Sequence, residues 1–153
     1  MRMIGDQAPE VAFEGPDGAE TTLAAWRGKP LVLYFYPKDD TSGCTREAQD
    51  FTALAGAFAK AGVALLGVSK DTAKKHKAFT EKYDLKVPLG TDTDGKLLEA
   101  FGAWVEKNMY GRKYMGIERS TFLIDKEGRI AREWRKVKVP GHAEEVLKAA
   151  QEL

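Results

Sequence analysis

Apolar and polar residues fall in blocks along this chain, and each block carries the period of one kind of element. Leu31-Val32-Leu33-Tyr34-Phe35-Tyr36 is apolar without interruption until Pro37, which predicts a central strand buried on both faces. Before it, Val11-Ala12-Phe13-Glu14 and Glu20-Thr21-Thr22-Leu23 flank Gly15-Pro16-Asp17-Gly18, an N-terminal hairpin with a turn-forming tip. After it, Ala48, Phe51, Leu54, Ala55 and Phe58 recur at helical spacing, and Gly62 closes that helix. Val63 to Val68 predicts a second apolar strand, and Asp71 is placed to cap a helix carrying Phe79 and Tyr83 on one side and lysines around the rest. Strand, helix and strand in this order predict a parallel pair with a right-handed crossover.

Further on, Asp94 opens a short helix through Leu97, Leu98 and Phe101. Ser120 to Ile124 and Arg129 to Trp134 flank Asp125-Lys126-Glu127-Gly128, an antiparallel hairpin. A last helix puts Ala143, Val146, Leu147, Ala150 and Leu153 on its inner face. The expected architecture is one layered α/β domain over residues 1–153, a mixed sheet with helices on both faces. In such sheets ligands gather at the carboxyl ends of the parallel strands, where the loop from Pro37 to Cys44 lies.

Composition narrows the function classes. Hydrophobic residues make up 43% and charged residues 31% of 153, as in ordinary globular proteins. The 24 basic and 23 acidic residues leave a formal charge of +1, which excludes a broad electrostatic footprint for nucleic acid. The opening Met1-Arg2-Met3-Ile4-Gly5-Asp6 lacks the apolar stretch of a leader, and the run from Leu31 to Tyr36 is far too short to span a bilayer, so no membrane role and a cytoplasmic address are expected.

The chain has one cysteine, Cys44, and two histidines, His76 and His142. A lone thiol forms no intramolecular disulfide, and two histidines make a thiolate–imidazole metal cage implausible, so no metal or organic cofactor is expected. Cys44 is then either inert filler, which free cysteine commonly is, or a reactive thiol. Its neighbourhood, Pro37-Lys38-Asp39-Asp40-Thr41-Ser42-Gly43-Cys44-Thr45-Arg46-Glu47-Ala48, favours reactivity. With Ser42 or Thr41 as N-cap, Cys44 stands in the first helical turn, among unpaired backbone N–H groups and the positive end of the helix dipole. A thiolate suits that position. Gly43 allows close approach of the backbone to a small ligand, and Ala48, Phe51 and Ala55 beneath Cys44 recess the sulfur.

Ionising a thiol is not enough. At neutral pH it gains about 1.5 kcal/mol, whereas the smallest enzymic accelerations need roughly 8 kcal/mol. A reactive site must also orient its substrate and stabilise developing negative charge, which calls for hydrogen-bond donors and a fixed cation. The Thr41 hydroxyl and the N–H groups of Gly43 and Cys44 are suitable donors, and Pro37 stiffens the loop and shields the sulfur. Arginine is the natural cation.

Pro37-x-x-x-Thr41-x-x-Cys44 resembles the active-site motif of peroxiredoxins. The longer stretch from Phe35 to Glu47, with Tyr110 to Ile117 and Glu118 to Asp125, is similar to the bacterioferritin-comigratory (Q-type) subfamily. The resemblance runs from about Gly5 to the C-terminus. It implies a thioredoxin-like fold in which Pro37 shields, Thr41 and Arg119 bind and polarise a hydroperoxide, and Cys44 attacks it; the Gly43 N–H remains a candidate substrate donor on the reading above. Nothing in the sequence alone selects Arg119 among 24 basic residues.

Two departures are visible. Ser42 stands where many Q-type members have proline, and Gln49 stands where many carry a resolving cysteine. The resemblance is therefore to a one-cysteine member, in which an external thiol (thioredoxin, or glutathione with glutaredoxin) must reduce the oxidised sulfur. A monomer is the default expectation.

Other residues weigh less. Glu47, one turn from Cys44, either orients Arg119 or merely favours the helix start. His76, among Lys74, Lys75 and Lys77, is read as solvated; His142 is read as serving the last helix start. Trp26, Trp104, Trp134, Tyr34 and Phe35 are read as core, the Lys70 to Lys82 run as a solvated face, and Met109, Tyr110 and Phe79 as a candidate apolar rim for alkyl hydroperoxides. Cys44-Thr45-Arg46-Glu47 lacks the second thiol of a dithiol–disulfide enzyme, and a cysteine hydrolase would need a histidine base beside Cys44. A non-enzymatic redox sensor or chaperone-like module on the same fold is the remaining alternative.

Overall fold

A computed structural model describes residues 3–153; Met1 and Arg2, part of the opening stretch on which the expectation of no leader rests, lie outside the described residues. Seven strands form one sheet: β1 (Phe13–Glu14), β2 (Glu20–Thr21), β3 (Leu31–Phe35), β4 (Ala64–Ser69), β5 (Leu89–Thr91), β8 (Ser120–Ile124) and β9 (Ile130–Trp134), in the order β2-β1-β5-β4-β3-β8-β9. The pairs β3–β4 and β4–β5 are parallel, and the flanking pairs are antiparallel. A separate two-stranded ribbon joins β6 (Trp104–Met109) to β7 (Arg112–Ile117).

The central strand β3 is buried along its whole length because both faces are covered. Val32, Tyr34 and Tyr36 point into one core cluster with Phe51, Phe58, Phe79 and Val146. Leu31, Leu33 and Phe35 point into the other with Leu66, Leu97, Phe101 and Phe122. Helices α1 (Ser42–Ala53), α2 (Ala55–Lys60), α3 (Ala73–Tyr83) and α5 (His142–Gln151) cover the first face. The second is closed by α4 (Lys96–Ala100) and a 3₁₀ turn at Leu23–Trp26. This is a thioredoxin-like mixed sheet between helices, with the expected hairpin at its N-terminal edge.

Several elements differ from expectation. The helix after Cys44 breaks at Leu54 (φ −100°, ψ 2°) into α1 and α2. Asp71 does not cap α3: Thr72 does, accepting from the Lys75 N–H, and Asp71 accepts from Ser69 Oγ and the backbone N–H of Asp39. Asp94 accepts from Lys96 N, but the buried Asp92 takes Leu97 N and Leu98 N and so carries most of the α4 start. Leu153, expected on the inner face of the last helix, is 54% exposed beyond its end. The three tryptophans sit half-buried at the core margin, whereas Tyr34 and Phe35 are fully buried. No helix among the described residues is long and apolar enough to cross a membrane.

Candidate active site

Strand pairing assembles the site. β3 ends at Phe35, and β8, antiparallel to it, begins opposite at Ser120. The residue before β8, Arg119, therefore lies at the same sheet end as the loop leaving β3. Thr45 N donates to Thr41 O, closing the first turn of α1, and the Thr41 side chain makes no cap to that turn. Cys44, the third residue of α1, is 2% exposed. The sulfur is recessed more deeply than the spacing implied.

Arg119 bridges two groups on α1. Its Nη2 donates to Cys44 Sγ at 3.3 Å, and its Nη1 donates to Glu47 Oε1 at 2.6 Å. A Cβ on Gly43 would lie 3.1 Å from Nη2, so the missing side chain makes room for the guanidinium. That is a tighter demand than the small-ligand approach expected of Gly43. Pro37 is half-buried at the end of β3, and Thr41 is exposed with its hydroxyl donating to Lys38 O at 2.8 Å. The hydrogen of Thr41 is thus spent on the loop, which leaves the hydroxyl oxygen to act as an acceptor.

Glu47 is 1% exposed, and its Oε2 has no hydrogen-bond partner. Burial pushes its carboxyl up to about 7, with the Arg119 charge and hydrogen bond pulling against it. Burial opposes the Arg119 charge, and Glu47 and Cys44 more than offset this, raising its pKa. Glu47 thus contacts the same guanidinium that touches the sulfur. Its titration has a consequence for stability. A raised carboxyl contributes fully below about 4.5, where it is protonated folded or unfolded, and loses that contribution as pH rises through about 7. The parent should therefore lose unfolding free energy between pH 5 and 8 relative to Glu47→Gln, which is measured by urea unfolding at both pH values. Parallel changes in the two proteins would refute this assignment.

Both histidines are buried, contrary to expectation for His76. Its ring sits between Asp39 Oδ2 at 2.6 Å and Gly90 O at 2.9 Å, because position 76 shares the inner face of α3 with Phe79 and Tyr83. His142 begins α5, but its Nε2 meets Thr121 Oγ1 at 2.8 Å and its ring meets Phe51 and Trp134 edge-on. Burial lowers its pKa. The rim of Met109, Tyr110 and Phe79 does not form: Phe79 is 2% exposed in the core, and Met109 and Tyr110 project from the β6–β7 ribbon. Lys74, Lys75, Lys77 and Lys82 do form a solvated face. Among the described residues no three His, Cys, Asp or Glu side chains converge as metal ligands would.

Comparison with known proteins gives a consistent picture. The family model described as AhpC/TSA matches residues 4–133. Peroxiredoxin Bcp of Bacillus subtilis is 49% identical over 150 residues, covering 98% of this chain and 96% of its own. A structure of the Xanthomonas campestris bacterioferritin comigratory protein, from work on its alkyl peroxide reduction activity, superposes with a TM-score of 0.87 at 49% identity, over 93% of this chain and 90% of that one. A cysteine-to-serine mutant of Xylella fastidiosa PrxQ superposes with a TM-score of 0.91 at 41% identity, over 99% and 98%.

Proposed function

Since the chain belongs to the AhpC/TSA family, with peroxiredoxins of the Bcp and PrxQ kind as its relatives, we infer that Cys44, Arg119, Thr41 and Pro37 carry out its thiol peroxidase reaction. The observation that carries the residue assignment is the Arg119 bridge between Cys44 Sγ and Glu47.

The Cys44 thiolate attacks the terminal oxygen of a hydroperoxide. An S–O bond forms as the O–O bond breaks, the departing oxygen takes a proton and leaves as water or alcohol, and the sulfur becomes a sulfenic acid. Sulfur is oxidised and peroxide is reduced by two electrons. Arg119 favours negative charge on sulfur first and on the departing oxygen next, without losing its proton. The N–H groups of Gly43 and Cys44 and the accepting hydroxyl oxygen of Thr41 orient the substrate, and Pro37 limits water at the sulfur. Glu47 fixes the guanidinium.

With no second cysteine in the sequence, an external thiol attacks the sulfenic acid, releasing water and leaving a mixed disulfide. A second thiol then releases Cys44 reduced. Thioredoxin, or glutathione with glutaredoxin, supplies such thiols, which fits a reducing cytoplasmic compartment and a monomer with one free cysteine.

Stopped-flow oxidation of the reduced protein by hydrogen peroxide, followed by tryptophan fluorescence and sulfenate trapping, tests this reading. The parent should exceed about 10⁴ M⁻¹s⁻¹, the lower edge of enzymic efficiency, and Cys44→Ser should show no reaction. Stoichiometric oxidation without turnover under either thiol system would assign the chain to redox sensing instead.

A further inference from the structure

Outside the reacting groups, a buried polar chain runs from the active-site loop into α3. Asp39, two residues after Pro37 and 8% exposed, has both carboxylate oxygens occupied. Tyr36 OH donates to Oδ1 at 2.5 Å, and His76 Nδ1 meets Oδ2 at 2.6 Å. On the far side of the ring, His76 Nε2 meets Gly90 O at 2.9 Å. A carbonyl only accepts, so Nε2 carries a proton, and the short contact to Asp39 needs a second proton on its own line. The same loop segment is held twice more. Asp39 N donates to Asp71 Oδ2 at 2.8 Å, and Asp40, at φ +60°, accepts from Lys82 Nζ at 2.8 Å and Tyr83 OH at 2.6 Å.

A buried acid–imidazole pair is a poor way to gain stability, because desolvation cancels much of its attraction and apolar packing would do as well. What it supplies is geometry. Apart from the Tyr36–Asp39 bond within the loop and the His76–Gly90 bond from α3 to β5, each of these contacts joins the loop between β3 and Cys44 to α3 or to the turn before it. We propose that His76 is a positioning residue for the peroxidase reaction: its ring fastens Asp39, and with it the Pro37–Cys44 loop, to α3 and β5, holding the sulfur in register with Arg119. The proposal rests on the peroxidase reading above.

Two substitutions separate the halves of the clamp. The amide nitrogen of His76→Asn falls near Nδ1 and keeps a donor for Asp39; that of His76→Gln falls near Nε2 and keeps only the Gly90 contact. Peroxide oxidation by stopped flow and Cys44 alkylation by iodoacetamide, a probe that needs an exposed sulfur, are measured for parent and variants, with circular dichroism checking the fold. His76→Gln should react with peroxide about 10- to 100-fold more slowly, the scale of an ångström misplacement, while alkylation accelerates. His76→Asn should stay within about threefold of the parent, the scale of one altered hydrogen bond. Equal losses in both variants with unchanged alkylation would make His76 merely structural and overturn the proposal, as would parent rates in both.

A fast parent with indifferent His76 variants sinks this proposal alone; a slow parent sinks the peroxidase reading beneath it. If His76→Gln does not fold, the parent itself decides. Its strongly downfield imidazole N–H proton resonance should move when Cys44 is alkylated, and an unmoved resonance would show the loop and His76 to be uncoupled.

Discussion

Replacing Arg119 by alanine should lower the rate constant for oxidation of Cys44 by hydrogen peroxide by about a hundred- to a thousandfold, the usual cost of one preorganised donor to a developing negative charge. Three losses coincide. The sulfur loses its contact at 3.3 Å, the departing oxygen loses its fixed cation, and the buried Glu47 loses its only hydrogen-bond partner among the described residues. Protonation limits the stability cost of the last loss, because a Glu47 freed from Arg119 takes up a proton more readily and its burial then costs less. The variant should remain folded at neutral pH by circular dichroism while its stopped-flow rate collapses. Arg119→Lys should recover only part of the rate, since a single ammonium does not reach Cys44 and Glu47 with a planar fork. A loss below about tenfold in the alanine variant would mean that the guanidinium is scaffolding and that backbone donors carry the charge.

Phe51→Ala should cost about 3–5 kcal/mol of unfolding free energy, the range for large aromatic truncations in a packed core. Phe51 is fully buried about two turns from Cys44 on the same face of α1. Its ring stacks on Tyr34 at 4.8 Å and meets Phe58 at 6.0 Å and the His142 ring edge-on at 6.2 Å. It thereby joins α1, β3, α2 and α5, so no single neighbour can move to fill the void. Against a total stability of about 5–15 kcal/mol, this is a large fraction. Urea unfolding should show a lower midpoint at unchanged slope, and Tm should fall by about 6–20 °C for a chain of this size. A cost below about 1.5 kcal/mol would show that the helix layer collapses onto the sheet more freely than the ring geometry implies.

The parts of the fold that the sequence announced are those in which one residue's surroundings are set by its own period. β3 is apolar on both faces and has helices on both. The β8–β9 hairpin surrounds a turn whose Asp125 accepts from Glu127 N and Arg129 N. The β6–β7 ribbon was silent because Glu106, Lys107, Asn108, Arg112 and Lys113 give it no apolar alternation, and it packs little of its length. At Leu54 no proline or glycine marks the helix break. The lysines beside His76 in sequence suggest a solvated ring, but neighbours in a helix point in different directions; its spacing of three and seven from Phe79 and Tyr83 is the better guide to its burial. Cys44, Thr41 and Pro37 are legible as candidates because one short stretch of sequence, from the loop after β3 into the first turn of α1, carries all three. Arg119 reaches them only through the β3–β8 register, which no local pattern encodes, and the family resemblance alone pointed to it.

That separation also matters while the protein is being made. Arg119 follows Cys44 by 75 residues, so at about 5–20 residues per second the ribosome delivers the arginine some 4–15 s after the cysteine. Throughout that interval the nascent segment holds a thiol with no guanidinium beside it and no β8 to hold its loop. On the roles proposed for Cys44 and Arg119, reactivity toward oxidants is acquired only on completion of the sheet, and an unfinished or misfolded chain carries a cysteine without its arginine.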